Sequence, residues 1–191
     1  MCLIVIGWRV HAGFPLVVAA NRDEFHARRT AAAAAWADVS GVFGGRDLEA
    51  GGTWLGARRD GRFAAVTNLR EPGAPSGSRS RGLLTAGVLA SVDGAGDYAD
   101  AVTGTDYAGF NLLLCDGKAL WYCSNRDRTS PRELPPGIYG LSNHLLDSPW
   151  PKLVSARSRF ADALARLPER KAFFDILADD EIVPDAELPA T

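Results

Sequence analysis

The second residue of the chain is a cysteine, Cys2, which follows Met1 and opens an apolar run. Methionine is removed in cells when the next side chain is small, and its removal would leave Cys2 with both a thiol and a free α-amine. An α-amine titrates near ~7.7–8.0 and a thiol near ~8.5, so this one residue would supply a nucleophile and a base. For Cys2 taken alone, a small hydrophobe at the start of a strand is the alternative interpretation.

A polar tetrad, Asn21-Arg22-Asp23-Glu24, ends the next apolar run. If the intervening hairpin is centred near residue 12, antiparallel pairing places Arg22 opposite Cys2. Arg22 would then favour the thiolate of Cys2, and Asp23 would orient its α-amine. The tetrad therefore predicts a nucleophile, a base and an orienting group at one strand end. A solvated strand end with local ion pairs is the alternative.

Two asparagines are candidate oxyanion donors. A second hairpin, centred on Asp60, would pair Asn68 with Gly52 and bring the glycine pair Gly51-Gly52 beside it. Paired glycines let a ligand approach the backbone closely, and an asparagine can donate to an oxyanion. A tight turn capped by Asn68 is an equal alternative. Asn143, at the end of another apolar run, is the second candidate.

The apolar and alternating segments predict hairpins, with strands at 3–9, 15–21, 53–58, 62–69, 110–115, 118–123 and 137–142. A two-residue turn at Asp116-Gly117 would pair Cys115 with Lys118. Helical spacing predicts helices at 80–92, capped by Ser80, at a longer stretch opened by Ser148-Pro149-Trp150-Pro151, and at 168–178. The alanine run 31–35 is interpreted as a connection. Hairpins with helices in blocks favour an α+β fold.

Composition predicts one domain over residues 1–191, since 191 residues that are 47% hydrophobic can bury a single core. A net charge of −2 gives no reason to expect nucleic acid or an anionic membrane as a partner. The sequence has neither a signal-peptide pattern nor a run of ~20 apolar residues, which predicts a cytoplasmic protein without stable membrane insertion. The three cysteines have no metal-ligand spacing, so we expect reduced thiols and no metal site.

Matches to a known family run in order along nearly the whole chain. The matching segments are Met1-Cys2-Leu3-Ile4, Ala20-Asn21-Arg22-Asp23-Glu24-Phe25, Gly45-Arg46-Asp47-Leu48-Glu49-Ala50-Gly51-Gly52-Thr53-Trp54-Leu55-Gly56, Thr67-Asn68, Ser80-Arg81-Gly82, Gly109-Phe110-Asn111-Leu112-Leu113, and Leu141-Ser142-Asn143 with Pro149-Trp150-Pro151-Lys152. On these segments the sequence resembles the NRDE family of transport and Golgi organisation proteins.

The resemblance implies the αββα four-layer sandwich of N-terminal-nucleophile hydrolases, close to the bile-salt hydrolase and penicillin V acylase branch. Cys2 then matches the nucleophile, Asp23 the acidic partner, and Asn68 and Asn143 the oxyanion-side asparagines, while Arg22 is shifted from that branch's usual arginine. Family members usually continue past residues 188–191 with a helical segment and further strands. The resemblance therefore implies a sandwich that lacks its C-terminal strands.

Two functions follow from the resemblance. The first is cysteine-dependent hydrolysis of a non-peptide C–N (amide) bond in a small-molecule substrate, with no cofactor required. The alternative is binding and trafficking of haem, or of acyl-CoA or a lipid, without hydrolase activity. An inactive remnant of the hydrolase is a third interpretation.

Overall fold

The computed structural model describes residues 2–71, 73, 77–102 and 104–180. Residues 188–191, beyond which the resemblance implies further strands in other family members, lie outside the described residues. The chain divides into a first unit, Met1–Asp23 with Pro135–Thr191, and a second unit, Glu24–Leu134. One domain over residues 1–191 stays a prediction.

The described residues contain ten strands and four α-helices. In chain order they are β1 (Leu3–Trp8), β2 (Leu16–Asn21), β3 (Thr30–Ala35), β4 (Val42–Asp47), β5 (Leu55–Arg58), β6 (Arg62–Asn68), α1 (Gly82–Ala90), α2 (Ala95–Ala101), β7 (Phe110–Asp116), β8 (Leu120–Ser124), β9 (Arg132–Leu134), β10 (Gly137–Leu141), α3 (Pro151–Leu164) and α4 (Lys171–Leu177).

The first unit is a three-stranded antiparallel sheet in the order β10-β1-β2, with α3 packed on β10 and β1 and α4 packed on β2. Strand β1 pairs with β2 in the register Leu3 to Asn21, which confirms the predicted centre of the first hairpin. Helix α3 begins at Pro151, the last residue of the segment that was predicted to open it, and proline is tolerated in a first helical turn. Its apolar stripe buries Phe160 against the β1 side chains Leu3 and Val5.

The second unit is a seven-stranded antiparallel sheet in which neighbouring strands follow one another in sequence, from β3 to β9. Helix α1 packs on β4 to β7, and α2 packs on β7 and β8. Leu84 and Val88 of α1 join Leu112 and Leu114 of β7 in one buried cluster. The fold is thus mixed α/β with two antiparallel sheets and four helices in the described residues, as the α+β prediction requires at that level; the four-layer arrangement stays a prediction.

Three strands and one helix were not predicted, and the alanine segment shows why. Residues 31–35 belong to β3, an edge strand that pairs with β4 although its side chains are all exposed. Alanine has a low strand propensity, and a run of alanines has no alternation to detect. Strand β4 was hidden by its glycine pair Gly44-Gly45. Strand β9 has three residues, and the seven-residue α2 has a weak apolar pattern.

Two local predictions were wrong. Cys115 pairs with Leu120 rather than with Lys118, so the turn between β7 and β8 is two residues longer than predicted. The Asp116 carboxylate accepts the backbone N–H groups of Lys118 and Ala119, both at 2.9 Å, which stabilises the wider turn. Ser80 is not the helix cap, because α1 begins at Gly82 behind Arg81 without a side-chain cap.

Candidate active site

Cys2 lies one residue before β1 and is partly exposed. Its thiol donates to the backbone carbonyl of Asp23 over 3.9 Å. Its backbone nitrogen donates to Oδ1 of Asn143 over 3.2 Å. The first unit therefore brings together three of the residues that the sequence predicted for the site, and it does so around the two atoms of Cys2 that would react.

The contact of Asn143 differs from the role predicted for it. An oxyanion donor acts through its N–H groups, whereas here the carbonyl oxygen of the Asn143 side chain accepts from the Cys2 nitrogen. An α-amine left by removal of Met1 would still donate to this oxygen. Asn143 is thus placed to hold the nitrogen of Cys2, and its action on an oxyanion stays a prediction.

Two contacts to the same segment were missed in the sequence. The Ser142 hydroxyl donates to the Cys2 carbonyl at 2.9 Å, and Asn21 Oδ1 accepts the Leu3 N–H at 3.0 Å. The amide nitrogen of Asn21 donates to the Leu177 carbonyl at the end of α4, at 3.2 Å. The predicted register already pairs Asn21 with Leu3, and extending the ladder between β1 and β10 by one pair would have placed Ser142 beside the start of β1.

Arg22 and Asp23 follow β2 at the same end of the sheet. Arg22 is partly exposed, and the side chain of Asp23 is exposed. The contact of Asp23 with the thiol is made by its backbone. That Arg22 favours the thiolate of Cys2, and that the Asp23 carboxylate orients the Cys2 α-amine, stay predictions.

Asn68 lies in the second unit, where it ends β6 and is exposed opposite Phe110. The predicted hairpin centre is correct, since Leu55 pairs with Ala65, but β5 begins at Leu55 and leaves Gly52 outside the ladder. A Cβ atom at Gly52 would lie 2.4 Å from the backbone of Gly82, so this glycine admits the first turn of α1 rather than a ligand.

The other two cysteines are unlike Cys2. Cys115 and Cys123 are buried, and all three cysteines are free, as expected. Burial raises the pKa of the Cys123 thiol above its ordinary value, since the thiolate loses solvation. Cys2 is therefore the accessible thiol of the chain. Across the described residues, no cluster of three or more metal-ligating side chains occurs, and no helix has the length and apolarity needed to span a membrane.

Fold and site define a class of protein: a mixed α/β chain in which a cysteine directly precedes the first strand. The two residues that follow the neighbouring strand bond the backbone nitrogen and the carbonyl oxygen of this cysteine. The family model for Transport and Golgi organisation 2 matches residues 1–191. The chain belongs to this family.

Relatives in animals are similar over most of the chain. The bovine Transport and Golgi organization protein 2 homolog is 38% identical over 194 residues, which cover 93% of this chain and 70% of the relative. The human homolog is 36% identical, covering 92% of this chain and 68% of its own. The Drosophila melanogaster protein is 32% identical, covering 78% and 58%. These names refer to transport and Golgi organisation and specify no reaction.

Proposed function

We propose that the chain is a cysteine-dependent hydrolase of a non-peptide amide C–N bond in a small molecule, with Cys2 as the nucleophile after Met1 is removed. The observation that carries the proposal is the pair of contacts on Cys2: its nitrogen on Asn143 and its thiol on Asp23, within one unit. The nucleophile and the base would occupy a single residue whose two reactive atoms are both held.

The reaction would proceed in two steps. The Cys2 α-amine takes the thiol proton, the sulfur attacks the amide carbon, and the C–N bond breaks as the amine passes the proton to the leaving nitrogen. The product is a thioester on Cys2 and a free amine. Water then attacks the thioester, releases the carboxylic acid and restores the thiol. The scheme requires no cofactor, and a donor to the oxyanion would lower both barriers.

The fold supports the same proposal. Each unit carries a pair of helices on an antiparallel sheet, α3 and α4 in the first and α1 and α2 in the second. A sheet with helices packed on it is what each half of an αββα sandwich contains, so we include that arrangement in the proposal.

The first experiment is the intact mass of the purified protein. The proposal requires a free α-amine on Cys2, so we expect the measured mass to lack Met1. A mass that retains Met1 would remove the base from the scheme and refute the hydrolase proposal. Labelling with 2-cyanobenzothiazole, which requires an amine and a thiol on adjacent carbon atoms, tests independently whether Cys2 carries a free α-amine.

The second experiment is turnover. A panel of acyl p-nitroanilides of increasing chain length would be assayed with the wild type and with Cys2→Ala. We expect release of nitroaniline beyond one equivalent by the wild type and its loss in Cys2→Ala. Cys123→Ala is the matched control, because that thiol is buried and should not contribute. Turnover that persists in Cys2→Ala would refute the assignment of the nucleophile.

Haem binding without hydrolysis is the second candidate. It is favoured by the accessible Cys2 thiol, since a thiolate is an established axial ligand of haem iron. Titration with haemin should then give a saturable Soret shift that Cys2→Ala abolishes. Absence of saturable binding would end this candidate, and parallel titrations with an acyl-CoA and with lipid vesicles would test the other ligands proposed for the same role.

A further inference from the structure

The peptide unit that joins Cys2 to Leu3 is held by side chains from both neighbouring strands. On one side, the Ser142 hydroxyl donates to the Cys2 carbonyl at 2.9 Å. On the other, Asn21 Oδ1 accepts the Leu3 N–H at 3.0 Å. In a regular ladder, backbone groups would make such bonds. Here two side chains make these bonds to the peptide unit at the end of the three-stranded sheet.

A similar device occurs at the start of β7 in the second unit. The Ser124 hydroxyl donates to the Phe110 carbonyl at 2.8 Å, and Asn125 Oδ1 accepts the Phe110 N–H at 3.0 Å. Ser142 and Asn143 contact the carbonyl and nitrogen of Cys2 with the same atoms. In both units, a Ser-Asn pair at or just after the end of one strand thus bonds the residue that begins, or directly precedes, its antiparallel neighbour. We call each pair a Ser-Asn clamp.

We propose that Ser142 and Asn21 are positioning residues for Cys2. The carbonyl and N–H of a trans peptide point in opposite directions, so bonding both of them fixes the plane of the unit. With the plane fixed and the nitrogen held by Asn143, the backbone of Cys2 is held on both sides of its Cα, which aims the thiol. The effect of this on catalysis rests on the proposed hydrolase function, whereas the positioning itself does not.

Asn21 adds a second connection. Its amide donates to the Leu177 carbonyl at 3.2 Å, so the side chain that holds Leu3 is itself held by the end of α4. Asn21→Asp keeps an oxygen for the Leu3 N–H but loses this donor. Asn21→Ala loses both. The two variants therefore separate the bond that positions Cys2 from the bond that anchors α4.

The test measures the alkylation of Cys2 by iodoacetamide in the folded protein, relative to the same chain in urea. We expect the folded wild type to react about tenfold more slowly, because its thiol is partly buried and donates to a carbonyl. Ser142→Ala and Asn21→Ala should bring the ratio at least halfway to that of the unfolded chain. Ser142→Thr, which retains the hydroxyl, and Asn21→Asp should stay near the wild type.

Ser124→Ala is the matched control, because it removes the corresponding hydroxyl in the second unit and should leave the Cys2 rate unchanged. Amide hydrogen exchange at Leu3 is the second readout: protection should be lost in Asn21→Ala and retained in Asn21→Asp. The proposal is overturned if folded and unfolded wild type react equally, or if Ser142→Ala and Asn21→Ala both match the wild type in rate and in Leu3 protection.

The outcome is independent of the hydrolase proposal, since alkylation and exchange need neither a substrate nor removal of Met1. If the wild type also turns over an anilide, Ser142→Ala should lower kcat by about tenfold with KM retained, as expected when the nucleophile is misplaced. A wild type without turnover whose alkylation still depends on Ser142 would refute the hydrolase and leave the positioning role in place.

Discussion

The two Ser-Asn clamps hold residues of opposite character. Ser124 and Asn125 grip Phe110, which is fully buried in the second unit. Ser142 and Asn143 grip Cys2, which remains partly exposed. The same bonds therefore start a strand inside a hydrophobic core in one case and present a thiol to solvent in the other.

This difference shows that the clamp alone does not indicate chemistry. A bond from Asn143 to the Cys2 nitrogen would look like catalytic machinery if its counterpart on Phe110 did not exist. The functional argument therefore needs the contacts together with the residue that they hold, a cysteine that can become the N-terminal residue. Matched variants in the two clamps therefore measure how much each clamp contributes to stability, separately from any effect on the chemistry of Cys2.

The residues that are held should show the largest contrast. Phe110→Ala should lower the free energy of unfolding by about 3–5 kcal/mol, because it empties a fully buried aromatic site. Cys2→Ala should cost less than about 1 kcal/mol, because its side chain is small and partly exposed. Urea unfolding followed by tryptophan fluorescence measures both. Equal losses would mean that Cys2 is a core residue, the alternative interpretation of the sequence.

The asparagines should differ next. The amide of Asn125 donates to the carbonyls of Gly104 and Tyr107 as well as holding Phe110. Asn125→Ala should therefore cost about 2–3 kcal/mol, since it leaves several groups unpaired, and Asn143→Ala about 1 kcal/mol. Anilide turnover should fall only in Asn143→Ala when rates are corrected for the folded fraction. A larger stability loss in Asn143→Ala would contradict this order.

The serines should have smaller effects on stability. Ser142→Ala removes a hydroxyl bond to a carbonyl. Ser124→Ala removes the corresponding bond and also the bond that Ser124 Oγ accepts from the Arg126 N–H at 3.2 Å. Each variant should cost about 1 kcal/mol, with Ser124→Ala slightly the more costly. Their midpoints in urea should therefore nearly coincide, although only Ser142→Ala changes the reactivity of Cys2. Free energies of unfolding that differ by several kcal/mol would show that the two clamps are not equivalent even structurally.

The smallest expected effect is the contribution of Asp116 to stability at acid pH. Partial burial acts to raise the pKa of Asp116, but backbone N–H bonds from Ala95, Ala119 and Lys118 outweigh it and lower the pKa. A carboxylate with a depressed pKa stabilises the fold above its unfolded pKa of ~3.9, and that stability is lost as pH falls through the folded value.

Asp116→Asn should therefore cost up to about 1 kcal/mol at neutral pH and flatten the acid limb of stability below pH ~4. The uncharged Ser124–Asn125 clamp should not add to that limb, so Ser124→Ala should run parallel to the wild type. Stability measured by urea unfolding between neutral and acid pH checks both curves; an unchanged acid limb in Asp116→Asn would contradict the role of its carboxylate.

Much of the fold could be predicted where residue pattern and turn chemistry agree. The first hairpin register, the helix beginning at Pro151 and the centre of the hairpin at Asp60 all follow from apolar runs and turn residues. Strand β3 could not be predicted, because its alanines form a strand only through their pairing with β4. The strand conformation of β3 is therefore determined by β4 and not by the sequence of β3 itself.

The site was predicted in its members more than in its contacts. The register placed Arg22 and Asp23 near Cys2, because the numbers of paired residues in an antiparallel hairpin have a constant sum. It did not show that Asn143 would use its oxygen or that Asp23 would use its backbone, since these depend on side-chain and main-chain torsions. Ser142 was missed because small polar residues at strand ends are common and have no distinctive spacing.

The accessibility of the three cysteines depends on whether the second unit is folded. One thiol, in the first unit, is accessible, two are buried in the second unit, and none is in a disulfide. A colourimetric thiol titration should thus report one fast equivalent from an intact sample and additional equivalents as the second unit opens. Preparations could be graded, and the opening of the second unit timed, without attaching any reporter.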